Sequence, residues 1–162
     1  GTGTARYGTS AAEYGGDKGI FGFGYALPGA VYSWTNLVSN TGVMASDTTG
    51  VGTNRSWNAA CSYGEDTAIF GFGSAVGKTA VTNLVSNGGV VASDQAAVTG
   101  TARSHLAATQ YCDDKGIFAG GEAPGLTTMT TNLVSNTGVV ATDITYAGAT
   151  SRAELAGCSF SS

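Results

Sequence analysis

The sequence predicts an all-β fold built from a four-stranded antiparallel unit that is repeated along the chain. Glycine supplies 26 of the 162 residues, about twice its usual share, and only two prolines occur. The hexapeptide "TNLVSN" starts at Thr35, Thr82 and Thr131, at intervals of 47 and 49 residues. Apolar blocks of strand length recur between its copies, which argues against disorder. Many short strands joined by tight turns fit all three observations.

Arginines mark the period most clearly. They stand 49, 48 and 49 residues apart, at Arg6, Arg55, Arg103 and Arg152. We therefore treat residues 1–162 as one repeat domain with units at about 6–47, 55–94 and 103–143. A fourth copy starts at Arg152 and predicts an extra strand over residues 152–160.

Two strands are expected in the first half of each unit. The first follows the arginine and is rich in small residues, as in "RYGTSAAEY" and "RSWNAACSY". A turn follows that contains an aspartate (Asp17, Asp66 or Asp114), whose side chain can hydrogen-bond the turn. The second strand is "GIFGFG", "AIFGFG" or "GIFAGG", an apolar run that ends in glycine.

The second half of each unit predicts a hairpin. After a connection of variable sequence, "TNLVSN" forms the third strand, and "GVMASD", "GVVASD" or "GVVATD" forms the fourth. Between them stands an Asn-x-Gly link, such as Asn40-Thr41-Gly42, which is a turn signal between apolar strands. Asp47, Asp94 and Asp143 close the three units.

Four strands in about 48 residues is the size of one blade of a β-propeller. The order also resembles the kelch repeat, in which an arginine-led strand precedes a strand of the form aliphatic-aromatic-x-x-Gly-Gly, as in Ile117–Gly121. The first two units carry Gly-Phe-Gly there, and the kelch tryptophan of the fourth strand is absent from all three. The sequence of the first unit, "DKGIFGFG…TNLVSNTGVMASD", is also similar to repeats in phage tail proteins and viral-metagenome proteins. The kelch resemblance implies that the arginine-led strand is innermost and lines a channel.

Three blades do not close a propeller, which has typically four to eight. We therefore predict a homodimer that forms one six-bladed ring, with strand 152–160 entering the first blade of the partner chain. The partner's own copy, 6–14, would then be displaced. The alternative fold is a β-trefoil, which also has three four-stranded units and closes within one chain.

The composition argues against several classes of partner and site. The chain has 7 basic and 11 acidic residues, a net charge of −4 and a pI of about 4.6. This acidic balance predicts that it binds neither nucleic acid nor an anionic membrane. No apolar run approaches the length of a membrane span. Cys61, Cys112 and Cys158 form no C-x-x-C pair and are expected to be small buried side chains.

No catalytic or metal-binding pattern occurs in the sequence. The one histidine, His105, stands where the other copies have Gly8, Trp57 and Glu154, so it is not a repeated ligand. We therefore predict no enzyme, no cofactor and no metal site. A propeller enzyme like the galactose-oxidase-like kelch proteins is the weaker alternative, because its copper site needs tyrosine and histidine ligands that a single histidine does not supply.

Two sets of residues are candidates for ligand binding. The repeated arginines would form a ring at one mouth of the channel, either bonded to carbonyls and aspartates or holding an anionic group such as an acidic sugar. Residues that differ between units form the second set, since exposed aromatic side chains on variable loops suit sugar stacking or an interface. This set comprises Tyr25, Tyr32, Trp34, Trp57 and His105.

These features predict a non-catalytic recognition or structural module of a phage tail or related surface appendage, located in the virion. Its expected ligand is a host glycan or another appendage protein. The alternative is a purely architectural spacer that binds no small ligand.

Overall fold

A computed structural model describes residues 3–95, 100–145 and 148–159 of the chain. Every regular element in these ranges is a β-strand, so the predicted all-β class is confirmed. Within the same ranges, no helix is long and apolar enough to cross a membrane.

The first repeat unit is a three-stranded antiparallel sheet with a small hairpin inserted in it. The sheet has the order β1 (Ser10–Tyr14), β2 (Lys18–Gly22) and β5 (Thr35–Val38). In the connection between β2 and β5, β3 (Tyr25–Ala26) pairs with β4 (Ala30–Val31). The connection whose sequence varies most is therefore itself a hairpin.

The second and third units repeat this sheet. In the second unit the order is β6 (Ala59–Tyr63), β7 (Thr67–Gly71) and β8 (Thr82–Val85). The third unit consists of β9 (Ala107–Tyr111), β10 (Lys115–Ala119), the hairpin β11 (Glu122–Ala123) and β12 (Leu126–Thr127), β13 (Thr130–Val134) and β14 (Ile144–Thr145). None of these sheets closes into a barrel over the described ranges, so they give no support to the β-trefoil alternative.

The predicted fourth strand is regular only in part. In the first unit, Val38 is bridged to Met44 and Thr35 to Thr48, so three steps along β5 face four steps along the next segment. One extra residue in one strand is a β-bulge, which interrupts the regular ladder. The offset recurs at Val85–Val91 with Thr82–Gln95, and at Val134–Val140 with Thr131–Ile144.

The apolar cores lie between neighbouring units. One joins Ile20 and Phe23 of the first unit to Phe70 of the second, and another joins Phe72 of the second to Phe118 of the third. The two Phe pairs, Phe23–Phe70 and Phe72–Phe118, meet edge to face at 5.1 Å between ring centroids. Each sheet thus buries its apolar face against the next sheet rather than within itself.

Backbone hydrogen bonds also join the units, and they extend to the fourth arginine copy. Gly24 N–H donates to Arg55 O at 2.9 Å, and Gly121 N–H donates to Arg152 O at 2.8 Å in the same way. The predicted strand 152–160 does not form as a strand over residues 152–159, and Phe160 lies outside the described residues. The segment has the position of a first strand, and among the described residues it pairs with no second strand.

Candidate functional site

An asparagine from each hexapeptide is buried at the centre of a polar network. Asn36, Asn83 and Asn132 are 5%, 0% and 0% exposed. Asn132 Nδ2 donates to Ala141 O at 3.0 Å and to Asp143 Oδ1 at 2.9 Å, and the other two asparagines make equivalent bonds. The amide therefore satisfies a carbonyl of the bulged segment and holds the aspartate that the bulge presents.

The repeat arginines belong to this network. Arg103 is fully buried, and its Nη2 donates to Asn132 Oδ1 at 2.6 Å while its Nε donates to Gly120 O at 2.9 Å. Arg6 Nη2 donates to Asn36 Oδ1 at the same distance of 2.6 Å. Each arginine also faces the aspartate that closes its unit, with shortest N–O distances of 2.9, 4.0 and 3.8 Å for Arg6–Asp47, Arg55–Asp94 and Arg103–Asp143.

Two of the arginines also pack on an aromatic ring of the preceding unit. The Arg55 guanidinium carbon lies 4.0 Å from the Phe23 ring centroid, and that of Arg103 lies 4.1 Å from the Phe72 centroid. Such a cation–π contact is stronger where water is excluded. Burial lowers the pKa of Arg55 to about 10, which leaves the group charged at neutral pH.

The middle unit makes fewer of these bonds. Arg55 Nε and Nη2 and Asn83 Oδ1 are buried without a hydrogen-bond partner among the described residues. Arg152, in the fourth copy, is exposed. Because the other three guanidinium groups are buried and face their own units, this arrangement favours the structural role of the arginines over anion binding.

The network keeps its aspartates ionised. Burial opposes ionisation of Asp47, but hydrogen bonds from the Thr4 backbone N–H, Asn36 and Arg6 outweigh it and hold the pKa of Asp47 well below its ordinary value. The pKa values of the two equivalent aspartates are lowered as well, against the same burial penalty. Carboxylates that accept several N–H groups keep their charge.

The last asparagine of the hexapeptide anchors the turn between the first two strands. Asn40 Nδ2 donates to Asp17 Oδ2 at 2.8 Å, and Asn87 Nδ2 donates to Asp66 Oδ2 at 3.1 Å. The serine before it closes the hairpin turn, because Ser39 Oγ accepts the Val43 N–H at 3.1 Å. The hexapeptide thus fixes two turns and a buried network with its polar side chains.

One backbone position is the same in all four copies although its side chain differs in each. Two residues after the arginines stand Gly8, Trp57, His105 and Glu154, with φ of +65°, +56°, +56° and +56°. Trp57 N–H donates to Gly8 O at 2.8 Å, His105 N–H to Trp57 O at 3.0 Å, and Glu154 N–H to His105 O at 2.9 Å. Side chains with a Cβ rarely adopt this left-handed conformation, and strain of this kind concentrates at binding sites.

These residues line a groove of about 380 Å3, here called the variable groove, together with the residues that follow them: Gly8, Thr9, Trp57, Asn58, His105, Leu106, Glu154 and Leu155. Trp57 and His105 stack with ring centroids 4.6 Å apart and an interplanar angle of 19°. Trp57 remains 38% exposed. The groove therefore offers an aromatic surface beside apolar and carboxylate side chains.

Polar groups surround the imidazole of His105. Its Nδ1 lies 3.1 Å from Ser104 Oγ and 3.7 Å from Glu122 Oε2. Lys78 Nζ, from the hairpin region of the preceding unit, lies 3.2 Å from the same Glu122 oxygen. The Glu122 carboxylate thus holds the lysine and lies beside the imidazole at the edge of the groove.

The loop aromatics divide into two groups. Tyr25 lies 4.9 Å from Tyr7, and Tyr7 lies 6.0 Å from Trp57 between ring centroids, so Tyr25 joins a row that leads to the groove. Tyr32 and Trp34 stack on each other at 4.0 Å. In the described residues neither of them stacks on that row.

The structure adds residues that the sequence reasoning did not single out. Tyr7, Glu122 and Lys78 connect the predicted aromatics, and the buried asparagines form the centre of the arginine network. The invariance of "TNLVSN" was the available signal for the asparagines. Tyr7, Glu122 and Lys78 carry no such signal. Tyr7 and Glu122 are bridged to Tyr25 and Ser104 of their own units, and Lys78 reaches Glu122 across the boundary between the second and third units.

The cysteines differ from the expectation. Cys61 is buried, but Cys112 and Cys158 are exposed, because Cys112 lies in a turn and Cys158 in the uncovered fourth copy. Burial raises the pKa of the Cys61 thiol to about 12. Among the described residues, no group of three or more His, Cys, Asp or Glu side chains is placed to hold a metal ion.

Comparison with known proteins yields a fold and no family. No protein-family model and no curated protein matches the chain. Among solved structures 115 chains match it. The structure of YjhT is one of them, with a TM-score of 0.63 at 16% identity over 82% of this chain and 42% of the YjhT chain. The chain therefore spans less than half of the YjhT chain, and the likeness shows the fold alone.

Proposed function

We propose that the chain is a non-catalytic recognition module of a phage tail or related surface appendage, and that the variable groove binds a host glycan. The observation that carries the proposal is the contrast between two repeated positions. The hexapeptide is identical in every unit and its polar groups are used by the fold. The residue two places after the arginine keeps a left-handed backbone in all four copies, which is strained at the three that carry a Cβ, while its side chain changes from Gly8 to Trp57, His105 and Glu154.

The architecture that fits this role is a kelch-like β-propeller in which each repeat unit is one blade. The meander order of each sheet and the burial of apolar faces between successive sheets support it. Two copies of the chain would supply six blades and close the ring. The variable groove would then lie at one mouth of the channel, beside the arginine-led strands.

The side chains of the groove favour a neutral sugar over an acidic one. Glu154 lines the groove and Glu122 lies at its edge, where Lys78 is already held by Glu122. Three of the guanidinium groups that would attract an anion, those of Arg6, Arg55 and Arg103, are buried elsewhere. Trp57, stacked with His105, remains 38% exposed and so offers apolar contact to a sugar ring, and carboxylate oxygens accept the hydroxyl protons of the sugar.

A glycan array tests the proposal directly. The unaltered chain should bind a subset of neutral glycans, and Trp57→Ala and His105→Ala should each weaken binding at least tenfold without changing the circular dichroism spectrum. Leu27→Ala serves as the matched control, because Leu27 is 78% exposed and does not line the groove. Equal binding by Trp57→Ala and the unaltered chain would place the site elsewhere.

The second candidate function is that of an architectural spacer. It is favoured by the extent to which the repeated residues serve the fold, since the asparagines and three of the arginines are buried or nearly so. A spacer binds no glycan on the array, whereas the recognition module binds at least one. The same experiment therefore separates the two candidates.

A further inference from the structure

We propose that residues 152–159 serve as the innermost strand of a blade whose remaining strands belong to a second copy of the chain. The inference rests on the proposed ring and names the segment through which two copies interlock. In this arrangement the partner's β2 pairs with residues 156–159 in place of the partner's own β1. Each of the two copies gives one such strand and accepts one.

The segment is already held where such a strand must lie. The bond from Gly121 N–H to Arg152 O, 2.8 Å long, repeats the bond from Gly73 N–H to Arg103 O, 2.9 Å long. Glu154 has the left-handed conformation of its counterparts, and its N–H donates to the preceding copy. These are the contacts that place β6 beside β1 and β9 beside β6.

The end of the third unit is shaped for this segment. The first two units have Phe23 and Phe72 where the third has Gly120. A Cβ at Gly120 would collide with Leu155 Cδ1, so the leucine fills the space that the missing ring leaves. The residue equivalent to Leu155 in the first unit is the smaller Thr9, which would leave part of that space empty.

In the part of the chain that the structure describes, no neighbouring unit covers the leading face of the first unit, whereas the other two units have one. Phe70 and Phe118 are fully buried against Gly22 and Gly71 of the preceding unit. Their counterpart Phe21 is 40% exposed. The internal interfaces show what covers such a face, namely another copy of the same unit.

The partner's β1 and residues 152–159 would occupy the same place in the shared blade. β1 lies beside β2 in its own chain, and the repeat register places residues 156–159 beside β2 of the partner. Only one of the two segments fits there. The contact of Leu155 with Gly120 favours residues 152–159, with Arg152 taking over the partner's Asn36 and Asp47 from Arg6.

Two engineered cysteine pairs test the exchange. β1 and β2 pair Glu13 with Gly19, and Ser159 is the counterpart of Glu13, seven places after its arginine. The proposal predicts that Gly19→Cys with Ser159→Cys forms a disulfide between chains. The matched pair Glu13→Cys with Gly19→Cys should form little disulfide within a chain. Cysteine fits at position 19, because an added Cβ lies 3.6 Å from Val38.

The exposed Cys112 and Cys158 are replaced by serine in both variants, while Cys61 is buried and stays. Non-reducing gels report the linkage, and light scattering reports the mass of each variant. A dimer with the 19–159 linkage supports the exchange. A dimer with only the 13–19 linkage overturns the exchange and leaves the ring intact, whereas a monomer overturns the ring as well.

Discussion

At the scale of single residues, the hexapeptide is a structural joint. Asn132 alone links the bulged segment, the closing aspartate and the arginine of its unit through bonds of 3.0, 2.9 and 2.6 Å. A buried side chain with this many partners tolerates no substitution, because each partner would be left unsatisfied. This accounts for the identity of "TNLVSN" in all three units without a ligand.

This role of the hexapeptide predicts that its two asparagines contribute very differently to the free energy of unfolding. Asn132→Ala should lower the free energy of unfolding by about 3 kcal/mol, because it leaves the buried Arg103 and Asp143 short of a partner. Asn136→Ala is the control from the same hexapeptide. Asn136 is exposed, so its loss should cost under about 1 kcal/mol. Urea denaturation measures both, and equal losses would contradict the joint.

The same network predicts how stability depends on pH. The pKa values of Asp47, Asp94 and Asp143 are lowered in the folded chain, so below about pH 4 the unfolded chain binds more protons than the folded one. Stability should be constant from pH 7 to about pH 5 and then fall as the pH drops further. The urea midpoint followed from pH 7 to pH 3 measures this. The Asp47→Asn variant should be less stable than the unaltered chain at pH 7, and its stability should fall less as the pH is lowered to 3.

At the scale of strands, the repeated sheets are held together by glycines that admit a neighbour's ring. An added Cβ at Gly22 would lie 2.7 Å from Phe70 Cζ, and one at Gly71 would lie 2.6 Å from Phe118 Cζ. The glycine at the end of the second strand is therefore an interface residue. A backbone conformation that only glycine adopts is not the reason for a glycine at this position, since neither Gly22 nor Gly71 has a left-handed φ.

Two alanine substitutions in β2 test this. Gly22→Ala should lower the free energy of unfolding by about 1–3 kcal/mol, because Phe70 must move to admit the methyl group. Gly19→Ala, in the same strand, should leave stability unchanged or raise it slightly, since glycine weakens a strand interior. Thermal and urea unfolding of the two variants report the difference. If Gly22→Ala left the free energy of unfolding unchanged, the Phe70 ring would not be packed tightly against Gly22.

The strands also show how much of the fold can be predicted from the sequence. The all-β class and the first three strands of each unit follow from apolar blocks, glycine turns and the Asn-x-Gly links. The sequence also predicts the fourth strand, but a bulge interrupts its pairing, and the asparagine that stabilises the bulge lies on the neighbouring strand. The hydrogen bond from this asparagine to the bulged segment joins two strands, so the sequence pattern of one strand does not predict it.

At the scale of the whole molecule, the site is assembled by contacts between units. Trp57 and His105 could be singled out because they differ from their counterparts, yet their stacking depends on the bonds that lay one unit on the next. Glu122 and Lys78 come from hairpin regions of different units and meet only in the assembled array. Residue variation therefore pointed to the groove, whereas its polar edge required the structure.

We propose that the three units are half of a ring and that a second copy of the chain completes it. The exposed Phe21, the buried Phe70 and Phe118, and the docked segment 152–159 all point to a missing neighbour at the two ends of the array. Light scattering on the purified chain at micromolar concentration measures this most directly. Two chains of 16.1 kDa predict a mass of about 32 kDa, and a mass of one chain at that concentration would contradict the proposed ring.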